Sequence, residues 1–290
     1  MRVYQAINLC FVVLFLWCIT LSCKNKNRYT SPKGYNFEQP EKFKMPSSLL
    51  EVSGIAFNGG KSDTVYSVED ESGKLFSQAW GNKKQSNVKF AKSGDYEDLA
   101  IVNGKAIILK SNGHLYTFNL SEKSNKEADK VKEHKGLIPK EEYESIYADD
   151  NGSKVYIICK SCDLEKKKKQ VTGYTLNYEL DSFMVVDTFA LNLEEIPKLN
   201  PKLKANLSPS AMTFNKLTNE WYILSSANKL LIIADRNWKI IAAHKLNSST
   251  FNQPEGIAFD SDHNLFISNE GDEVTDGNIL KFRYAAANGK

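Results

Sequence analysis

Ser53-Gly54-Ile55-Ala56-Phe57, Glu97-Asp98-Leu99-Ala100-Ile101, Glu144-Ser145-Ile146-Tyr147-Ala148, Ser210-Ala211-Met212-Thr213-Phe214 and Glu255-Gly256-Ile257-Ala258-Phe259 are variants of one pattern. Their first residues are spaced by 44, 47, 66 and 45. A second apolar run follows each copy, at 64–68, 106–109, 155–158, 221–224 and 265–267. A third follows most, at 74–76, 114–118, 230–233 and 279–282. Several short strands repeating every 40–45 residues or so predict an all-β chain folded as a β-propeller. One such unit cannot bury its own faces, and units stacked around an axis can.

The 66-residue interval is the irregular one. Its runs 172–177 and 183–191 read as the third and fourth strands of the third unit, with insertions at 163–169 and 192–206. Five blades are therefore favoured, with six as the alternative. The last unit shows only about three strands before the chain ends, so the segment Glu41 to Met45 is expected to supply its outer strand and close the ring. Closure removes an open sheet edge. Asn58-Gly59-Gly60, Asn103-Gly104, Asn112-Gly113 and Asn151-Gly152 read as hairpin turns. Gly54 and Gly256 fall beside the axis, where a Cβ has least room.

The N-terminus reads as a targeting segment. Arg2 is the only charge before Lys24, and residues 7–21 are apolar. The run Thr20-Leu21-Ser22-Cys23 resembles the lipobox of bacterial lipoprotein signal peptides, with Thr20 standing where that motif usually has Leu. On this reading 1–22 is a signal peptide and Cys23 carries a lipid that holds the chain to a membrane. A polar tether follows over 23–34, and 35–290 is the propeller. An uncleaved anchor and an ordinary cleaved leader remain as alternatives. All three put the domain outside the cytoplasm, in the bacterial cell envelope facing the periplasm or the exterior. Cys159 and Cys162 are the cysteines left in the domain, and an exported protein permits a disulfide there. Two plain thiols, or a redox or metal role, are the other readings. The net charge of +3 is too weak for nucleic-acid binding. Lys166 to Lys169 reads as a solvated loop tip. A monomer is expected, and ligand and protein partner are left open.

Propeller geometry makes the first position of each repeat, and the loop after each second strand, emerge at one end of the central channel. Ser53, Glu97, Glu144, Ser210 and Glu255 hold the first set of positions. Glu69, Asp70, Lys110, Lys160, Ser226, Asn228, Asn269 and Glu270 hold the second, and Asp98 adds an acid beside Glu97. Carboxylates crowded without partners cannot all stay ionised. One reading places a hard cation such as Ca2+ at the mouth, with Glu97, Glu144, Glu255 and Asn269 or Glu270 as oxygen ligands. A second has Lys110 and Lys160 neutralise the acids. A third has the acids cap strand donors around a wet channel. No dense calcium loop, Gly-x-Ser-x-Gly, HExxH or phosphate loop occurs. His114 is expected on a third strand, His244 on an outer strand, His263 in a turn and His134 in a charged loop, none of them at the mouth.

The runs Ser53 to Ala56, Val65 to Asp70 and Gly94 to Ala100 resemble the SdiA-regulated (YjiK-like) family. Tyr143 to Ile146, Ile158 to Lys160, Ser208 to Ser210 and Pro254 to Asp260 agree in order and spacing, over roughly residues 45–285. The family pattern often has Gly where this chain has Ser145. The resemblance implies an exported β-propeller with a divalent cation in the channel, and no settled activity. A binding role at the acidic mouth is favoured. A metal-dependent hydrolase of esters, lactones or phosphoesters is the alternative.

Overall fold

The computed structural model describes residues 29–162 and 169–286. The expected signal peptide, the lipidation candidate Cys23 and Lys166 to Lys168 lie outside the described residues. Five four-stranded antiparallel sheets form the blades of a ring. Blade 1 is β2 (Val52–Asn58), β3 (Lys61–Glu69), β4 (Lys74–Ala79) and β5 (Gln85–Lys89). Blade 2 is β6 (Tyr96–Val102), β7 (Lys105–Lys110), β8 (Leu115–Asn119) and β9 (Lys132–His134). Blade 3 is β10 (Glu142–Ala148), β11 (Lys154–Ser161), β12 (Gln170–Glu179) and β13 (Ser182–Asn192). Blade 4 is β14 (Ala211–Asn215), β15 (Glu220–Ser225), β16 (Leu230–Ala234) and β17 (Ile240–Lys245). Blade 5 is β18 (Pro254–Phe259), β19 (Leu265–Asn269), β20 (Asn278–Phe282) and, from the other end of the chain, β1 (Glu41–Lys44).

The long third interval holds no sixth blade. Its length goes into the long hairpin of β12 and β13, the short helix α1 (Glu195–Leu199) and the connection to β14. The first strand of each blade neighbours the first strands of the blades on either side, from β2 round to β18 and back. The inner strands of a blade are covered on both faces to differing degrees, and β16, Leu-Leu-Ile-Ile-Ala, is buried at every position. Apolar clusters fill each of the five junctions. Between blades 1 and 2, for example, Val68, Leu75 and Val88 meet Leu99, Ile108 and Phe118.

β1 pairs antiparallel with β20, from Glu41 opposite Lys281 to Lys44 opposite Asn278, and the Met45 N–H donates to the Gly277 carbonyl at 2.8 Å. The ring is therefore closed by strands from its two ends. The chain just before β1 also packs on the ring. Tyr35 and Phe37 are buried against blades 4 and 5, with the Phe37 ring 4.7 Å from that of Phe282. The Tyr35 hydroxyl donates to the His263 carbonyl at 2.8 Å. Pro32 is buried, and the Thr30 hydroxyl lies 2.8 Å from His244 Nδ1. Residues 23–28 of the expected tether lie outside the described residues. His134 is also corrected: it lies in β9, buried, 3.0 Å from the Thr117 hydroxyl, rather than in a loop. Among the described residues no helix is long and apolar enough to cross a membrane.

Candidate functional site at the channel mouth

A break in strand register sets the geometry of the mouth. In blade 2, Tyr96 faces Lys110 and Asp98 faces Leu109, leaving Glu97 as an extra residue. In blade 3, Tyr143 faces Cys159 and Ser145 faces Ile158, leaving Glu144 extra. In blade 5, Pro254 faces Asn269 and Gly256 faces Ser268, leaving Glu255 extra. Blade 1 has the same irregularity between Val52 and Ile55. A β-bulge kinks the strand and re-aims the bulged side chain. The recurring glutamate of the repeat therefore leaves the blade sandwich and meets its counterparts near the axis.

Close neighbours and burial shape the electrostatics. Burial, with Glu144 and Asp95 nearby, pushes the Glu97 carboxyl up to about 9. Burial, then Glu144 and Glu270, pushes Glu255 up to about 8, against a Ser226 hydrogen bond. Burial and Asp70 push Glu270 up to about 7, although Gln253 donates to it at 2.8 Å. Burial and Glu51 push Asp70 up to about 6. Glu144 shows which effect wins: the Lys160 ammonium contacts its carboxylate, yet burial still holds it up at about 7. Lys160 also reaches Glu142 at 3.2 Å, and these partners raise its own pKa despite burial. A cavity of about 330 Å³ lies here, lined by Glu144, Lys160, Ser210, Ser226, Gln253 and Glu255 among others.

Several of the expected mouth residues are occupied elsewhere. The Glu69 carboxylate accepts the Glu71 N–H at 2.9 Å and the Ser72 N–H at 2.8 Å, which fixes its own loop. Asp98 is buried and accepts the N–H of Leu99 at 2.8 Å and of Ile146, on the next blade, at 2.9 Å. It is a clamp between blades, and burial raises its pKa well above the carboxylate range. The Lys110 ammonium lies 5.9 Å over the Tyr96 ring, so Lys160 carries the ion pairing at the mouth. Asn228 holds its loop by accepting the Ser208 N–H at 2.8 Å. Asn269 is fully buried; its amide donates to Asn278 at 3.1 Å, and its Oδ1 has no hydrogen-bond partner. Asp70 Oδ1 is likewise buried without a partner. Cys159 and Cys162 form a disulfide.

A second polar set escaped the sequence reading. Glu51, Asp95, Glu142, Ser208 and Gln253 stand two residues before the five repeat positions. Glu51 and Asp95 raise the mouth carboxyls, Glu142 shares Lys160, and Ser208 and Gln253 line the mouth cavity. Their shared offset of two residues before the repeat position is the signal that could have found them.

The oxygen donors suit a hard cation such as Ca2+. Among the described residues, however, no three His, Cys, Asp or Glu side chains are grouped closely enough to hold one ion. The donor type fits, and a bare ion held by three carboxylates does not. The opposite end of the axis has a cavity of about 570 Å³, bordered by hairpin turns and by Tyr147, Phe214, Asn215 and His263. Asp260 on its wall is fully engaged, accepting from Ser62, Asp262 and Asn264.

The family model described as SdiA-regulated matches residues 33–273. No curated protein matches the chain. Among solved structures, a luciferin-regenerating enzyme aligns at 9% identity and TM-score 0.50, covering 84% of this chain and 95% of that one. A nidogen/laminin complex aligns at 10% identity and TM-score 0.47, covering 75% of this chain and 72% of that one. At 9% identity the first likeness speaks to the fold alone, and the second carries no argument.

Proposed function

The chain belongs to the SdiA-regulated family, and from that premise and the geometry of the mouth we propose that this propeller is an envelope protein, tethered through lipidated Cys23, whose acidic channel mouth binds a cation. Ca2+ is the divalent candidate. The observation that supports this reading is the raised set of carboxyls at Glu97, Glu144, Glu255 and Glu270, which outnumber the ammonium groups of the mouth cavity, Lys160 paired with Glu144 and Lys229 near Glu255. A site that keeps its own acids partly protonated has a deficit of positive charge, and an arriving cation relieves it. The unpartnered Oδ1 atoms of Asp70 and Asn269 add neutral and acidic oxygen acceptors next to the same end of the ring. Because three carboxylates do not group around one point, the bound ion keeps part of its water and is held partly through it. The protein's residues do the orienting: the three bulges fix the glutamates, and Lys160 limits how much negative charge is exposed.

The reading makes binding depend on pH with a definite sign. The acids ionise as pH rises through about 7 to 9, so affinity for Ca2+ rises over that window and is weak at pH 5. Calorimetric titration of chelator-treated protein at pH 5 and pH 9 measures this. Affinity equal at both values contradicts the site. A Glu144→Gln, Glu255→Gln double variant is expected to lose the pH 9 heat.

A further inference from the structure

Lys160 sits inside the smallest covalent ring of the domain, Cys159-Lys160-Ser161-Cys162, closed by the Cys159–Cys162 disulfide. The local pairing explains why that matters. β11 pairs with β12 only as far as Ile158 opposite Gly173. Beyond Ile158, the chain is held by β10 on one side, where Tyr143 faces Cys159 and Glu142 faces Ser161. That register skips Lys160, making it a bulged residue on β11, as Glu144 is on β10. Two facing bulges aim an ammonium and a carboxylate at each other. Lys160 contacts Glu144 and reaches Glu142 at 3.2 Å. The Cys159 sulfur lies 3.4 Å from the Glu142 carbonyl, in contact with the same strand. Among the described residues no β11–β12 pairing runs past Ile158, and the disulfide closes the end of β11.

We propose that the Cys159–Cys162 disulfide is a redox control on the channel mouth: closed, it holds Lys160 against Glu144 and Glu142, and opened, it releases that ammonium and leaves the acids free for a cation. This rests on the cation reading of the mouth for its functional consequence. The chemistry balances with an external dithiol. A thiolate of the reductant attacks one sulfur of the pair, its second thiol resolves the mixed disulfide, and the reductant closes to its own disulfide. Two electrons and two protons pass to Cys159 and Cys162, which become thiols. Cys162 is the more exposed of the two, Cys159 being fully buried. A ring this small restrains little of the unfolded chain, so the propeller stays folded when it opens.

The test uses the full chain, oxidised and after dithiothreitol. An amine-acylating reagent with mass-spectrometric readout reports Lys160 directly, without reference to any ligand. Labelling of Lys160 is expected to rise on reduction, while Lys residues on distant blades label equally in both states. Calcium affinity is expected to rise about fivefold, the scale of one partly exposed ion pair. A Cys159→Ser, Cys162→Ser variant should match the reduced protein with or without reductant. A Lys160→Met variant should bind calcium tightly in both states. Unchanged Lys160 labelling overturns the proposal, whatever calcium does. Increased labelling with unchanged calcium affinity overturns the coupling to the mouth. Increased labelling with no calcium heat in any form upholds the release of Lys160 and rejects the cation reading instead.

Discussion

Gly256 and Gly54 measure how closely the blades approach at the axis. A Cβ on Gly256 would collide with the Ser268 hydroxyl and come within 2.6 Å of the Ser53 carbonyl. One on Gly54 would run into the Asp98 carboxylate, with the Asp98 Cα at 2.7 Å. The obstacle in each case includes backbone, which cannot rotate away. Gly256→Ala is therefore expected to destabilise the ring by about 1–3 kcal/mol, the range for overpacking a filled site, as read by denaturant unfolding; a loss under about 0.5 kcal/mol contradicts the packing argument. Ser145 occupies the equivalent place on blade 3, fully buried with a hydroxyl that has no partner. Ser145→Ala removes a buried unsatisfied group and is expected to be neutral or stabilising by up to about 1 kcal/mol. Glu97 illustrates the same logic for charge. Its folded pKa of about 9 lies above the ordinary value of 4.5. The folded state then holds the proton more tightly than the unfolded one, so this residue's contribution to stability is full below about pH 4.5 and is lost as pH rises through 9. Glu97→Gln should raise the melting temperature at pH 9 by a few degrees, roughly, and leave it unchanged at pH 4. A lower melting temperature at pH 9 would contradict the burial of this carboxyl.

Strand by strand, legibility in the sequence followed burial. The inner three strands of each blade are covered on both faces, and their apolar runs stood out at a regular spacing. The fourth strands β5 and β9 did not: Val88 is the one buried residue of the first, His134 of the second. An outer strand packs on one face only, so composition hardly separates it from a loop. The mouth glutamates were legible by their recurrence, but the bulges that aim them were not, because a bulge is a relation between two strands. Asp98 looked like a mouth acid by adjacency to Glu97. A bulge at 97 turns its successor into the wall between blades, where it clamps the Ile146 N–H. The closing strand was readable from a missing fourth strand in the last blade. Its lead-in, with Tyr35 and Phe37 buried, was lost among polar neighbours. Deleting residues 35–46 removes β1, exposes the edge of β20 and uncovers the junction of blades 4 and 5. The truncated chain is expected to lose cooperative melting, and a melt like that of the intact chain would show that the ring closes without it.

Seen as a whole, the molecule has two unlike ends. One has a cavity bordered by hairpin turns, aromatic rings and polar groups. The other concentrates carboxyls whose pKa values rise together because burial and mutual repulsion act on all of them. Five-fold repetition produces that concentration directly, since one acidic residue per repeat becomes a ring of acids when the repeats close. Serine at the blade 1 and blade 4 positions breaks the ring, so its acids stand on the adjoining blades 2 and 3 and, across the axis, on blade 5, and Lys160 partly offsets them. The most direct test is a calorimetric calcium titration of the full, chelator-treated chain at pH 8, set beside the Glu97→Gln, Glu144→Gln, Glu255→Gln variant. The account predicts saturable, stoichiometric heat and a higher melting temperature for the natural sequence, with both lost in the folded variant. No heat from the natural sequence, or equal heat from the two proteins, would contradict it.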